Sequence, residues 1–272
     1  MRNFLVTGAA SGIGHALVQQ LLVKGHRVCA CDVNDQGMQS LNAHATAGQL
    51  RIERLDVRSS EQWNALVESV VAQWGTLDVL CNVAGVLRDN WVEDATAEDV
   101  HFHIDVNVKG VMFGVQAAVK PMLKAGRGHI INIASLAGLS PVPGLGLYSA
   151  SKFAVRGYSL SAGMELASKG IAVTTICPDA VQTPMLDIQK GKAQTALTFS
   201  GPRALSSQEV VTAVFRALET RPLEITLPAW RGATAKLAAL APGLSVKAIE
   251  LFRSAGLKRQ KAITAGKSST EA

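Results

Sequence analysis

Tyr148 and Lys152 lie four residues apart in a segment whose apolar positions recur at helical spacing, so their side chains share one face. A free tyrosine phenol ionises near pH ~10. Bringing it toward ~7 takes about 4 kcal/mol of preference for the phenolate, at roughly 1.4 kcal/mol per unit. One ammonium about 4 Å away in a partly screened site supplies a Coulomb term of that order, before its own desolvation is subtracted. The pair has the chemistry of a general acid and base tuned by a neighbouring charge. Without further context the same two residues read as an exposed helix start with a surface lysine.

A second cluster stands near the first residue. Thr7-Gly8-Ala9-Ala10-Ser11-Gly12-Ile13-Gly14 follows an apolar run and opens a helical pattern. A strand that ends in such a turn delivers the free N–H groups of a helix start to an anion. Glycine removes the Cβ that would block a pyrophosphate. Gly8, Ser11, Gly12, Ile13 and Gly14 are the candidate contacts to a dinucleotide; a purely structural turn is the other reading. Asp32 ends the next strand, where a carboxylate accepts from both adenosine ribose hydroxyls and repels a 2′-phosphate. Val33 and Asn34 bring no positive charge, and position 11 is Ser rather than Arg or Lys. NAD is therefore expected in preference to NADP, unless Asp32 only caps the following helix. Asp56 and Val57, after the third strand, are placed to meet the adenine edge; a helix-capping Asp is the competing reading.

The elements that position these residues alternate along the chain. Strands are expected at 3–7, 27–32, 50–55, 77–82, 129–134, 171–177 and 224–227. Helices are expected at 13–23, weakly at 35–45, at 59–74, from the Thr96 cap to about Lys124, at 148–168, and from Ser206 to Glu219. Ser59 with Gln62, and Ser206 with Glu209, read as capping boxes. Nearly continuous apolar strands separated by helices indicate an α/β fold, a Rossmann-type doubly wound parallel sheet of about seven strands in a single domain. Its ligand belongs at the carboxyl ends of the strands. The connection 178–205 is long enough to suggest a substrate lid.

With these motifs in place, the chain resembles the short-chain dehydrogenase/reductase family over roughly residues 3–228. Thr7–Gly14 fits T-G-x-x-x-G-I-G, Asn82-Val83-Ala84-Gly85 fits N-x-A-G, and Tyr148–Lys152 fits Y-x-x-x-K. The resemblance implies a catalytic tetrad of Asn107, Ser135, Tyr148 and Lys152. In it Ser135 bonds the substrate oxygen, Lys152 also binds the nicotinamide ribose, and Asn107 holds a water that leads protons to solvent. It adds Asn82, Ala84, Gly85, Pro178, Val181 and Thr183 to the cofactor contacts. Two departures stand out: Asp179 where the family has Gly after Pro, and Val83 where it often has Asn. The implied activity is interconversion of a secondary alcohol and its ketone. An NADP-dependent carbonyl reductase of the same fold is the alternative, and a dinucleotide-sensing protein without turnover is the rival from another class. The complete tetrad argues against the last. The family's usual homodimer or homotetramer is the expected assembly.

Residues 136–147 carry no charge, and Val86, Leu87, Trp91, Met185, Leu186 and Ile188 are apolar. These are the family's substrate-facing regions, so a small lipophilic alcohol or ketone is expected, unless the residues simply pack together. Beyond position 228 the chain continues as a basic amphipathic extension over 229–264, which Pro242-Gly243 should split into two helices, and then as a disordered tail over 265–272. The extension resembles the tails of family members that handle lipophilic substrates. Covering a pocket or a subunit interface is favoured over peripheral contact with a membrane surface.

The composition, 48% hydrophobic and 18% charged, fits a globular core. The formal charge of +6 comes with no nucleic-acid motif. A strand begins almost at once, which leaves no room for a leader, and no apolar run spans a bilayer; a cytoplasmic location is the default expectation. Cys29, Cys31, Cys81 and Cys177 read as small buried hydrophobes. His101 and His103 fall on different faces of a helix, so no metal site is expected.

Overall fold

The computed structural model describes residues 1–265. The tail expected beyond Ala265 lies outside them. Seven parallel strands form one sheet: β1 (Asn3–Thr7), β2 (Arg27–Asp32), β3 (Leu50–Arg54), β4 (Val79–Asn82), β5 (Gly128–Ile133), β6 (Ile171–Pro178) and β7 (Glu224–Leu227). Their order across the sheet is β3-β2-β1-β4-β5-β6-β7. The order reverses between β1 and β4, which opens the crevice where ligands bind in such sheets.

The strands alternate their burial between two cores. Leu5, Leu80 and Ile130 face one side, and there α3 (Ser60–Trp74), α5 (Gly110–Ala125) and α6 (Gly146–Leu166) pack through Trp63, Leu66, Val111, Met122 and Val155. Phe4, Val6, Val28 and Ile131 face the other, against Leu17 and Leu21 of α1 (Gly12–Val23) and Val210 and Val214 of α8 (Ser207–Thr220). Burial on both faces is the physical reason the strands read as unbroken apolar runs.

Between β2 and β3 lie a short α2 (Asp35–Met38) and a 3-10 turn, Gln39–His44. The single helix expected from Thr96 to Lys124 is interrupted. It begins as α4 (Ala97–His103), passes through a π-helical segment, Ile104–Lys109, and continues as α5. Thr96 and Asp99 form a full capping box at its start, as do Ser206 and Glu209 before α8. The expected box at α3 is only half made. Ser59 accepts from Gln62 N–H, but the Gln62 side chain accepts from Asp56 N–H at 2.9 Å instead. The 178–205 connection holds α7 (Pro184–Asp187) and a 3-10 turn, Ala196–Phe199. Two further helices follow β7, α9 (Ala229–Leu240) and α10 (Pro242–Thr264), with Pro242 starting the second. Among the described residues no helix is long and apolar enough to cross a membrane.

Gly114 of α5 shows how tightly one core is filled. A Cβ there would stand 2.7 Å from Asn82 Oδ1 and 2.8 Å from the Trp63 ring. Gly157 of α6 has open space around its Cα. Gly114→Ala is expected to cost about 1–3 kcal/mol by overpacking. Gly157→Ala should gain up to about 1 kcal/mol through helix propensity. Denaturant unfolding of both variants checks this, and a neutral Gly114→Ala would contradict the packing described.

Candidate active site

The carboxyl ends of β1, β4 and β6 meet closely, Gly8 against the backbone of Ala84 and Gly12 against the side chain of Thr183. Gly8 and Gly12 have φ of 67° and 55°. A Cβ on Gly8 would stand 2.8 Å from Ala84 N, and one on Gly12 would stand 2.9 Å from Thr183 Cγ2. Gly14 packs on the Gly8 carbonyl with no room for a methyl group. Thr7 Oγ1 accepts from the N–H groups of Val83 and Ala84, each at 3.1 Å. The substitution of Val for Asn at position 83 therefore leaves this turn held by backbone donors. Asn82 is buried and donates to Asn132 Oδ1 at 2.8 Å.

The turn that these contacts build fits a dinucleotide. Ser11 is the N-cap of α1 but makes no side-chain capping bond, and no acidic residue sits in the first turn. The helix start keeps its N–H groups and its positive end for an anion. Ile13 is half-buried in that first turn. Asp32, at the end of β2, accepts from Ala10 N–H at 3.1 Å and Asn34 N–H at 3.0 Å, one per carboxylate oxygen. Two backbone donors orient it and leave further lone pairs for hydroxyl groups. Asn34, not Asp32, caps α2. Asp56 is held by Arg58, whose Nε and Nη2 donate to its two oxygens at 2.9 and 2.6 Å. That pairing holds the Asp56 carboxyl below its ordinary range. Val57 is buried against Gly110, and its carbonyl accepts from the Trp63 indole at 3.1 Å.

Tyr148 and Lys152 stand on the first turns of α6, and Ser135 follows β5 as the cap of a 3-10 turn. Lys152 is buried, donates to the Ile133 carbonyl at 2.9 Å, and has its Nζ 5.6 Å from the Tyr148 ring centroid. Asn107 lies in the π-helical segment, fully buried. Its Oδ1 accepts from Val86 N–H at 2.8 Å, and its Nδ2 donates to the Val86 carbonyl and to Ser151 Oγ, both at 3.0 Å. Asn107 Oδ1 and Lys152 Nζ converge on Gly85, 3.4 and 3.5 Å from where its Cβ would be. All four tetrad residues thus gather around the ends of β4 and β5. Ser151 and Thr7 were not singled out from the sequence, although both lie within quoted motifs.

The electrostatics differ from the simple pairing expected. Burial pushes the Tyr148 phenol up to about 12, although a hydrogen bond from Ser135 opposes it. Burial also brings Lys152 down to about 8. Both shifts oppose ionisation, with Lys152 buried and Tyr148 partly so. Burial likewise lifts the thiols of Cys81 and Cys177 to about 12, and all four cysteines are buried and free. His103 is buried with both ring nitrogens bonded to backbone, while His101 is exposed. Among the described residues no group of three His, Cys, Asp or Glu side chains could hold a metal ion.

Pro178 is the last residue of β6, and Val181 and Thr183 follow it, Val181 buried and Thr183 against Gly12. Asp179 is not an exposed substitute for glycine. It pairs with Arg231 of α9, Nε to Oδ2 at 2.5 Å. Burial raises its carboxyl above the ordinary range, and Arg231 pulls the other way. Nothing in the sequence around Asp179 pointed to a partner 52 positions onward.

Comparison with known proteins agrees with this geometry. A family model described as short chain dehydrogenase matches residues 2–193. A 3-alpha-(or 20-beta)-hydroxysteroid dehydrogenase of Mycobacterium tuberculosis is 41% identical over 194 residues, 71% of this chain and 74% of that one. A cyclopentanol dehydrogenase of Comamonas testosteroni is 34% identical over 216 residues, 77% of this chain and 86% of that one. A short chain dehydrogenase of Mycobacterium paratuberculosis solved bound to NAD superposes with a TM-score of 0.73 at 26% identity, covering 83% of this chain and 95% of that one. ElxO solved with NADP bound shares the fold at a TM-score of 0.73 and 24% identity, over 83% and 96% of the two chains. The chain belongs to the short-chain dehydrogenase family and is an NAD(P)-dependent oxidoreductase acting on CH–OH groups.

Proposed function

We propose that the protein interconverts a lipophilic secondary alcohol and its ketone with NAD, using Tyr148 as the acid and base. The observation that carries this reading is the gathering of Ser135, Tyr148, Lys152 and Asn107 beside the glycine turn. Gly8, Ser11, Gly12, Ile13 and Gly14 would hold the pyrophosphate, Asp32 the adenosine ribose, and Asp56 and Val57 the adenine edge. Asn82, Ala84 and Gly85, with Pro178, Val181 and Thr183, would wall the nicotinamide end. When bound, the dinucleotide supplies the hydride acceptor or donor. Tyr148 takes the hydroxyl proton in oxidation and returns it in reduction. Ser135 donates to the substrate oxygen and stabilises its developing charge. Lys152 sets the ionisation of Tyr148, and Asn107 holds the path by which the proton leaves.

The lipophilic substrate rests on two supports. The segments around the tetrad are apolar, with Leu136, Leu139 and Leu145 buried beside it. The relatives named above act on a steroid and on a cyclic alcohol. NAD rests on Asp32, whose carboxylate would meet a 2′-phosphate with like charge. One observation favours the second reading, an NADP-dependent carbonyl reductase. Arg54 pairs in register with Asp32 across β2 and β3. Its side chain is exposed, 3.7 Å from Asp35, and offers a guanidinium on that side.

Two outcomes are expected. Tyr148→Phe keeps the ring and should still bind NAD, while turnover falls by at least ~10²–10⁴. In the parent protein, oxidation should speed up as pH rises through the apparent pKa of the Tyr148–Lys152 pair, because the phenolate is the base. Steady-state rates on a panel of lipophilic alcohols, read at the reduced-nicotinamide absorbance, check both. Near-normal turnover of a folded Tyr148→Phe variant would end the mechanism. For the cofactor, Asp32→Ala with Val33→Arg should move preference toward NADP, since a guanidinium pairs with the 2′-phosphate. Tighter binding of NADP than NAD by the parent, in a calorimetric titration, would overturn the role of Asp32.

A further inference from the structure

The 178–205 lid leaves the sheet at Pro178 and is closed at its base by a parallel bridge between Val181 and Leu205. There Gln182 N–H donates to Leu205 C=O and Leu205 N–H to Ala180 C=O, both at 2.8 Å. Above that bridge the lid is held by the two C-terminal helices. Arg231 of α9 pairs with Asp179 at the lid's start and reaches Ser200 Oγ, near its end, at 3.5 Å. Arg259 of α10 donates to the carbonyls of Ser200 and Gly201 at 2.5 and 2.7 Å. Gln260, buried, donates to Thr195 Oγ1 at 3.1 Å. Gly256 lies on the Ala196 carbonyl so closely that no Cβ would fit. Gly201 in turn backs the ion pair, since a Cβ there would stand 3.1 Å from Asp179 Oδ2 and 3.4 Å from Arg231 Cζ.

These contacts share one consequence. The Asp179 and Arg231 side chains are only 12% and 19% exposed. A carboxylate removed from water is costly wherever its cation is out of reach. Asp179 is thus held to the one loop position at which Arg231 meets it. Thr183, four residues on, touches Gly12 of the glycine turn.

We propose that Arg231 is a positioning residue for the dinucleotide: through Asp179 it fixes the Pro178–Thr183 segment against the glycine turn, and with Arg259 it holds the lid over that segment. The proposal rests on the reading of Val181 and Thr183 as the wall of the nicotinamide end. The C-terminal extension then acts on the reaction without touching the reacting atoms. Loosening the tie should weaken binding of dinucleotide and alcohol more than it slows the chemical step, because the tetrad stands on other elements.

The test uses the full chain. Arg231→Met leaves a buried carboxylate and is expected to lower stability, so the deciding variant is Asp179→Gly with Arg231→Met, which removes both charges. Its fold is checked by circular dichroism. The double variant should show an NAD dissociation constant and a KM for the alcohol raised about tenfold or more, with kcat changed far less. Arg231→Lys keeps the charge and should recover part of the affinity. Lys190 and Lys192 are exposed on the lid, so trypsin should cut there faster in the double variant. A folded double variant with the parent's NAD affinity and cleavage rate overturns the proposal, provided Thr183→Ala weakens NAD binding. If Thr183→Ala also leaves NAD affinity unchanged, the reading of the nicotinamide wall fails first and the proposal with it.

Discussion

The contact between Gly8 and Ala84 is the constraint on which the site depends. The backbones approach so closely that one methyl group would displace them. The approach brings the Thr7 hydroxyl within reach of two amides after β4, and so sets the path of the chain through Gly85. Gly85 in turn leaves room for Lys152 Nζ and Asn107 Oδ1. The glycine turn and the Asn107–Lys152 pair are thereby tied together through adjacent strand ends with no flexible linker between them. Parallel strands make this possible because every carboxyl end lies on one edge of the sheet. Rigid elements under a site are what keep it within the narrow geometric tolerance that chemistry requires.

That rigidity has an electrostatic cost. Tyr148 at about 12 and Lys152 at about 8 are each displaced toward the neutral form. Lowering the phenol from there to ~7 takes roughly 7 kcal/mol, at about 1.4 kcal/mol per unit. A single ammonium several ångströms away supplies only about 3–4 kcal/mol at an intermediate effective dielectric. On the proposed mechanism, further positive charge beside the phenol is needed to lower it. Oxidised nicotinamide is such a charge. On the proposed mechanism, such a site would keep Tyr148 protonated until the dinucleotide is in place.

Much of the fold was legible because its determinants are local. Strand limits at β1, β2 and β7 follow apolar runs, and the Thr96 cap and the Ser206 capping box need only residues three apart, although the full box at Thr96 was not read from the sequence. The four residues of the expected tetrad were singled out by resemblance, and the Tyr148–Lys152 spacing by helix geometry alone. Three features were not. The π-helical segment around Asn107 divides what the sequence reads as one helix from Thr96 to Lys124. The box at Ser59 failed because Gln62 met a competing donor, Asp56 N–H, outside the motif. The sign of the shifts at Tyr148 and Lys152 depends on burial, which spacing does not encode.

The net charge makes the same point at the scale of the chain. Residues 1–228 hold nineteen basic and nineteen acidic side chains, while residues 229–272 hold eight basic and two acidic. The entire +6 belongs to the extension. A basic extension suggests an acidic partner elsewhere, yet several of these cations have partners within the chain. Arg231 meets Asp179, Lys236 meets Glu224, Arg253 lies 4.9 Å from the Trp91 ring centroid, and Arg259 donates to the carbonyls of Ser200 and Gly201. Neutralising pairs of this kind cancel charge locally, whereas carbonyl and ring contacts bind a guanidinium without cancelling it. The extension therefore remains positive while being tied to the body by its own cations. Helices held by such directed contacts occupy one place against the 178–205 connection, which a purely apolar helix with exchangeable leucines would not be compelled to do.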